Sequence, residues 1–220
     1  MSAHTTDYLE VIEHLPEGAM LRLERISWDE YEQLLEEMTA RPGLRVSYDH
    51  GRVEIMSPTH EHEEYKDFIY SLVRLLSDEL GIELETRGSA TYRQKRLLKG
   101  AEPDCSFYVQ NASTVIGNRR IELGIDPPPD IVVEIDITNE SLGKFPIYVA
   151  FGVPEIWRYD GERTEIYTLV NQSYIEAAQS LAFPCLTAQT LTDFIEQSKT
   201  EGQSAALRAF RLWVRARIQS

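Results

Sequence analysis

Apolar positions recur at helical spacing in three stretches and alternate with polar ones in several shorter runs. From Thr59 to Leu80, residues Phe68, Ile69, Leu72, Val73, Leu75 and Leu76 line one side of an amphipathic helix, which Gly81 closes. Ser27-Trp28-Asp29-Glu30 reads as a capping box, with Ser27 as N-cap and Glu30 three residues on. It opens a helix to about Ala40 that Pro42-Gly43 ends. Leu44 to Asp49 and Arg52 to Ser57 form a predicted hairpin around His50-Gly51, and Ile82 to Arg93 supplies one or two further strands. A helix covers roughly Leu142 to Phe151. Glu155 to Tyr159, Thr164 to Val170 and Ser173 to Ala178 read as a terminal antiparallel meander, with Asp160-Gly161 as the first turn. About Leu191 to Ile218 is helical, and its Leu207, Phe210, Leu212, Trp213 and Val214 suit the core or a partner chain. The first twenty residues read as a mobile lead-in. No repeat or low-complexity tract interrupts the pattern.

Two strands break the apolar pattern with carboxylates. The first reads Glu102-Pro103-Asp104-Cys105-Ser106-Phe107-Tyr108-Val109, and the second Pro129-Asp130-Ile131-Val132-Val133-Glu134-Ile135-Asp136. A loop or irregular hairpin ending in Pro127-Pro128-Pro129 separates them. Side chains alternate along a strand, so Glu134 and Asp136 share the Val132 face while Ile131, Val133 and Ile135 share the other. If the two strands pair, Asp104 sits across from Glu134, and Cys105 turns away into packing. Buried carboxylates are costly without a partner. Mg²⁺ commonly takes one or two carboxylates plus waters and substrate phosphate. Lys144, eight residues past Asp136, adds an ammonium suited to phosphoryl charge.

Other acidic and basic positions have plainer readings. Glu54 alternates with Arg52, Val53 and Ile55, which fits a solvent-facing strand position as well as an accessory acid. His60 and His62 among Glu61, Glu63 and Glu64 fit a charged helix start, where acids favour the dipole. Asp130 after three prolines punctuates a loop-to-strand transition. Proline is tolerated only in the first turn of a helix, so Pro146 implies that its helix starts late and that Lys144 lies in the lead-in.

At 220 residues the chain fits one α/β domain, residues 1–220, with a core at about 27–180. Its 42% hydrophobic fraction is ordinary for a globular protein, and its two cysteines make neither a disulfide framework nor a zinc set. No stretch approaches the length of a membrane helix and no leader pattern opens the chain, so a cytoplasmic protein without membrane contact is expected. The net charge of −14 opposes non-specific nucleic-acid binding. The cations are clustered, however: Arg93, Lys95, Arg96 and Lys99; Arg119 and Arg120; and Arg208, Arg211, Arg215 and Arg217. A basic rim around an acidic site suits a phosphate backbone.

Taken in order, four segments resemble the Uma2 family, a group common in cyanobacteria with a restriction-endonuclease-like PD-(D/E)xK fold. They are Gly51-Arg52-Val53-Glu54-Ile55-Met56-Ser57-Pro58 and the following Thr59-His60-Glu61-His62; Pro103-Asp104; Pro129-Asp130-Ile131-Val132-Val133-Glu134; and Lys144-Phe145-Pro146-Ile147-Tyr148 with Gly152-Val153-Pro154-Glu155-Ile156-Trp157. The resemblance implies an α/β fold with a mixed central sheet flanked by helices, extra antiparallel strands and a C-terminal helical segment. It implies a Mg²⁺- or Mn²⁺-dependent endonuclease acting on DNA, with a homodimer as a plausible assembly. Asp104 and Glu134 would be metal ligands. Lys144 would replace the motif lysine, whose usual position holds Asp136. Glu54 would be an accessory acid, Asp136 a third ligand, and His62 the family histidine of the long helix. Tyr148 reads as a packing residue. Where the family carries an apolar residue this chain has Asp136, so two alternatives stand beside the nuclease. One is a catalytically silent nuclease fold acting as a binding module; the other is a metal-dependent hydrolase of a small phosphate ester.

Overall fold

The computed structural model describes residues 3–38 and 43–218. The predicted hairpin forms as β2 (Arg45–Asp49) and β3 (Arg52–Met56), with Asp49 paired to Arg52. His50 and Gly51 both take positive φ, 48° and 94°, which the tight two-residue turn requires. β1 (Met20–Leu23) adds to one side. β6 (Lys99–Ala101) and then β5 (Tyr92–Gln94) add to the other, all antiparallel. This five-stranded sheet carries α1 (Ala3–Glu13) and α2 (Trp28–Met38). Their shared core includes Ile12, Trp28, Tyr31, Leu34, Val46, Tyr48, Val53 and Ile55. Ser27 caps α2 as expected: its hydroxyl and backbone N–H both donate to Glu30, and Glu30 N–H donates back to the hydroxyl. The expected helix end at Ala40 and its Pro42 stop lie outside the described residues.

A second, six-stranded sheet has the order β11-β10-β9-β8-β7-β4. Its strands are β4 (Glu85–Thr86), β7 (Cys105–Tyr108), β8 (Ile131–Ile135), β9 (Glu155–Tyr159), β10 (Thr164–Val170) and β11 (Ser173–Ala177). The pairing is antiparallel except between β8 and β9. Parallel neighbours need a crossover. It is supplied by a 3-10 turn, Ser141–Lys144, and a short helix α5 (Phe145–Phe151) that holds Pro146 in its first turn. A four-residue helix α4 (Ala112–Val115) interrupts the long β7–β8 connection.

The alternation in β8 decides what covers each face. Ile131, Val133 and Ile135 meet α3 (His60–Leu80), α6 (Ala188–Glu201) and α7 (Gln203–Ile218), in a core with Phe68, Leu72, Ile195 and Phe210. Val132 faces the other way and packs with Ile147, Tyr148 and Ile156 under α5. α3 runs as predicted, with Thr59 as N-cap and Gly81 in the left-handed region at its end. The C-terminal helical segment is two helices separated at Gly202; of its apolar residues Phe210 and Val214 are buried in the core, and Leu212 is exposed. No helix among the described residues is long and apolar enough to cross a membrane.

Candidate active site

Glu102-Pro103-Asp104 is where the chain steps from one sheet to the other. Glu102 N–H donates to Val46 O of the first sheet at 3.1 Å, and Asp104 N–H to Val133 O of the second at 3.0 Å. Pro103 between them has no N–H to satisfy. Glu102 turns its carboxylate back, accepting from Val46 N–H at 3.0 Å and from the Thr91 hydroxyl. Asp104 Oδ2 accepts from Ile135 N–H at 2.8 Å. Because Cys105 pairs with Val133 in an antiparallel register, Asp104 stands opposite Glu134. Both carboxylates are 1% exposed.

The crossover then delivers Lys144. Its Nζ lies 2.7 Å from Glu134 Oε2 and donates to Glu102 O at 3.4 Å. One turn later the Tyr148 hydroxyl donates to the other oxygen of Glu134. Pro146, within the first helical turn, removes an N–H that would lack an intrahelical partner anyway. Asp104 has its own cations. His62, near the start of α3, places Nε2 at 3.1 Å from Oδ2, and Arg45 Nε lies 3.4 Å from Oδ1. Arg45 also bridges to Glu63 at 3.0 Å.

The ionisation pattern follows from these neighbours. Burial pushes Glu134 up to about 7; the Asp104 charge adds to this, and Lys144 and Tyr148 oppose it. Burial would raise Asp104 as well, but the close contact and charge of His62, 3.1 Å away, with Lys144, carry it below the ordinary carboxylate value. Burial works against the His62 imidazolium, yet Asp104 and Glu63 outweigh it and hold His62 up to about 9. Lys144 is likewise raised, with Glu134 and Asp104 outweighing burial. Two adjacent carboxyls driven in opposite directions are a common arrangement in acid–base sites.

Asp104 Oδ1, Arg45 Nε and both His62 ring nitrogens make no aligned hydrogen bond despite their burial. An orphaned buried oxygen calls for a water or an ion. Beside Glu134, that oxygen matches the two-carboxylate, water-completed set that suits Mg²⁺. The donor set stops at two. Among the described residues no group of three or more His, Cys, Asp or Glu is placed to hold an ion. Asp136, expected as a third ligand, follows the last residue of β8, and Arg158 Nε donates to its Oδ2. The same guanidinium donates to Glu165 at 2.8 Å. Glu134 pairs with Arg158 and Arg158 with Glu165, so these three form one polar row across β8, β9 and β10, which Asp104 continues just before β7.

Glu54 stands at the edge of this centre. It pairs with Arg22 at 2.8 Å, and its Oε2 is 3.9 Å from where a Cβ on Gly143 would lie, beside the Lys144 turn. Arg45, Glu102 and Arg158 were not anticipated from the sequence. Tyr148, expected only to pack, is wholly buried and also binds Glu134. Its spacing of one turn from Lys144 was a usable signal; Arg45 offered only an arginine at the start of a strand. Of the basic clusters, Arg93 and Lys95 share a groove with Arg119 and Arg120. The C-terminal cluster lies elsewhere: Arg211 and Arg215 hold Glu79. Glu79 is roughly 25 Å along α3 from His62 at the usual helical rise.

No curated protein matches the chain. A solved structure, "a putative nuclease belonging to DUF820" from Anabaena variabilis, is similar at 15% identity and a TM-score of 0.47, covering 67% of this chain and 89% of that one. The model of the Uma2 family, described as "Putative restriction endonuclease", matches residues 28–195, a span that contains Glu54, His62, Asp104, Glu134, Asp136 and Lys144. On that match the chain belongs to the Uma2 family.

Proposed function

We propose that the protein is a metal-dependent nuclease that hydrolyses phosphodiester bonds in DNA. The observation that carries this reading is the buried Asp104–Glu134 pair, with Lys144 Nζ 2.7 Å from Glu134 and Asp104 Oδ1 left without a hydrogen bond. Asp104 and Glu134 would hold Mg²⁺ or Mn²⁺. When bound, such an ion supplies Lewis-acid polarisation of the phosphate and a lowered pKa for bound water. The chain's own groups do the rest. Tyr148 fixes one oxygen of Glu134 and so orients the other toward Lys144. The Lys144 ammonium is placed to donate to a water or phosphate oxygen and to offset charge that develops on phosphorus. Arg45 and His62 offset the Asp104 charge from the opposite side. Glu54 acts at the edge through its nearness to the Gly143 turn. Asp136 stays with Arg158 as a support of the strand end.

The test is nicking of supercoiled plasmid with Mn²⁺ or Mg²⁺, alongside Asp104→Ala, Glu134→Ala and Lys144→Ala. Metal-dependent nicking lost in all three supports the reading; nicking that survives them refutes it. One observation favours the silent scaffold instead: each carboxylate already has a cation beside it, Lys144 for Glu134 and Arg45 with His62 for Asp104. A folded wild type that neither nicks plasmid nor binds Mn²⁺ in calorimetry would establish that alternative.

A further inference from the structure

The acidic chain carries one concave surface with the opposite balance. A groove of about 910 Å³ runs between the β2 start, the β5 region and the 119–123 segment, and is lined by six cationic side chains against three carboxylates. It joins two clusters far apart in sequence, Arg93 with Lys95 and Arg119 with Arg120. Arg93 lies 3.7 Å from Glu32, and Lys95 2.8 Å from Asp29. Arg119 and Arg120 are exposed and make no ion pair among the described residues. The groove stops short of the buried centre, since Asp104, Glu134 and Lys144 do not line it, but two of its lining residues touch that centre. Arg45 and Glu102 line it, Arg45 stands 3.4 Å from Asp104, and the Glu102 carbonyl accepts from Lys144.

We propose that this groove binds a DNA strand by its phosphates, with Arg119 and Arg120 at the outer end and the buried Arg45, 3.4 Å from Asp104, marking the inner end nearest the carboxylates. The proposal rests on the nuclease reading for its destination, but the binding stands separately from hydrolysis. Three features support it. Unpaired arginines in a net-acidic chain are the residues that release counterions on binding phosphate. A concave basic surface focuses its field on a polyanion. The volume is at the upper end of ordinary ligand clefts, more than one phosphate fills. The shared chemistry is phosphate, so a free phosphate ester is the competing source.

The experiment is anisotropy of a labelled oligonucleotide with the full chain in EDTA, where metal-dependent cleavage is off. Arg119→Gln/Arg120→Gln is compared with Arg211→Gln/Arg215→Gln, which removes the same charge at the distant cluster. The first double variant should lose about 10-fold in affinity and flatten the log-affinity against log-salt slope by about two. The second should stay within about 2-fold. Equal losses in both, no loss in the first, or no wild-type binding at about 50 mM salt overturns the proposal. Pyrophosphate competing as well as unlabelled oligonucleotide at equal phosphate also overturns it, in favour of a small ester. The two readings fail separately. Wild-type nicking by Arg119→Gln/Arg120→Gln sinks the groove alone, whereas groove-dependent binding without any nicking sinks hydrolysis alone.

Discussion

Two buried charge clusters lie side by side on the same level of the six-stranded sheet, and they differ in what they leave unsatisfied. In Asp136–Arg158–Glu165 one guanidinium donates to both carboxylates. Arginine does not lose its proton in proteins, so nothing in this cluster is poised to exchange. In Asp104–Glu134–Lys144 the pairing is incomplete: Asp104 Oδ1 has no hydrogen bond, and burial pushes Glu134 up to about 7. Burial of carboxylates alone therefore does not mark a site. Unused ligand capacity beside an exchangeable cation does, and of the two clusters only Asp104–Glu134–Lys144 has it.

Exchanging the roles of the two clusters by mutation tests the contrast. The largest effect is expected from Glu134→Gln and Asp104→Asn, which should reduce plasmid nicking by about 10³-fold with circular dichroism unchanged, whereas Asp136→Asn should keep nicking within about 10-fold. Equal losses at Asp104 and Asp136 would erase the distinction. Lys144→Met comes next, with a loss of about 10²-fold in rate that Lys144→Arg restores only in part, because the planar fork does not replace a point charge.

Stability should show the reverse order. Arg158→Met removes the guanidinium shared by Asp136 and Glu165, leaving Arg163 beside Glu165, so the free energy of unfolding should fall by about 3 kcal/mol, the usual cost of breaking a buried pair. Arg22→Met, at an exposed ion pair, should cost under about 1 kcal/mol. A Tm unchanged in Arg158→Met would mean that the second cluster is no support.

The clusters also separate by pH. A carboxyl raised from 4.5 to about 7 stabilises the fold fully below 4.5 and loses that contribution as pH climbs through about 7. In EDTA, wild-type stability relative to Glu134→Gln should therefore decline between pH 5 and pH 8, by direct comparison of urea midpoints; a rising difference would give Glu134 the opposite sign. Glu54→Gln is expected to slow nicking only a few-fold, in keeping with its place at the edge.

Much of this architecture is local and was legible. The Ser27 cap, the apolar periodicity of α3 with its Gly81 stop, the His50-Gly51 turn and the two-residue alternation of β8 each depend on neighbours a few residues away. They predicted α2 and α3, the first hairpin and the opposite faces of Val132 and Val133. The Asp104–Glu134 juxtaposition was also legible once the two acidic strands were assumed to pair, because register follows from the pleat. Pro146 limited where its helix could start, since a proline ring is excluded from the interior.

Lys144 and His62 were anticipated beside those carboxylates, but Arg45, Arg158 and the Tyr148 hydrogen bond were not legible, because nothing local selects them. Arg45 reaches Asp104 only because the chain crosses between sheets at Pro103, and Tyr148 reaches Glu134 only because the crossover helix lies on that face. Asp136 shares a face with Glu134 by periodicity, yet its partner is chosen by Arg158 on a parallel strand that arrives after a crossover. The groove likewise joins Arg93 to Arg119 through pairing that composition does not record. Sequence by itself determined the elements and which side chains share a face, since these are set by backbone sterics and period. Tertiary structure alone decided which buried charge is matched and which is left with capacity to bind, since matching depends on distances between residues remote along the chain.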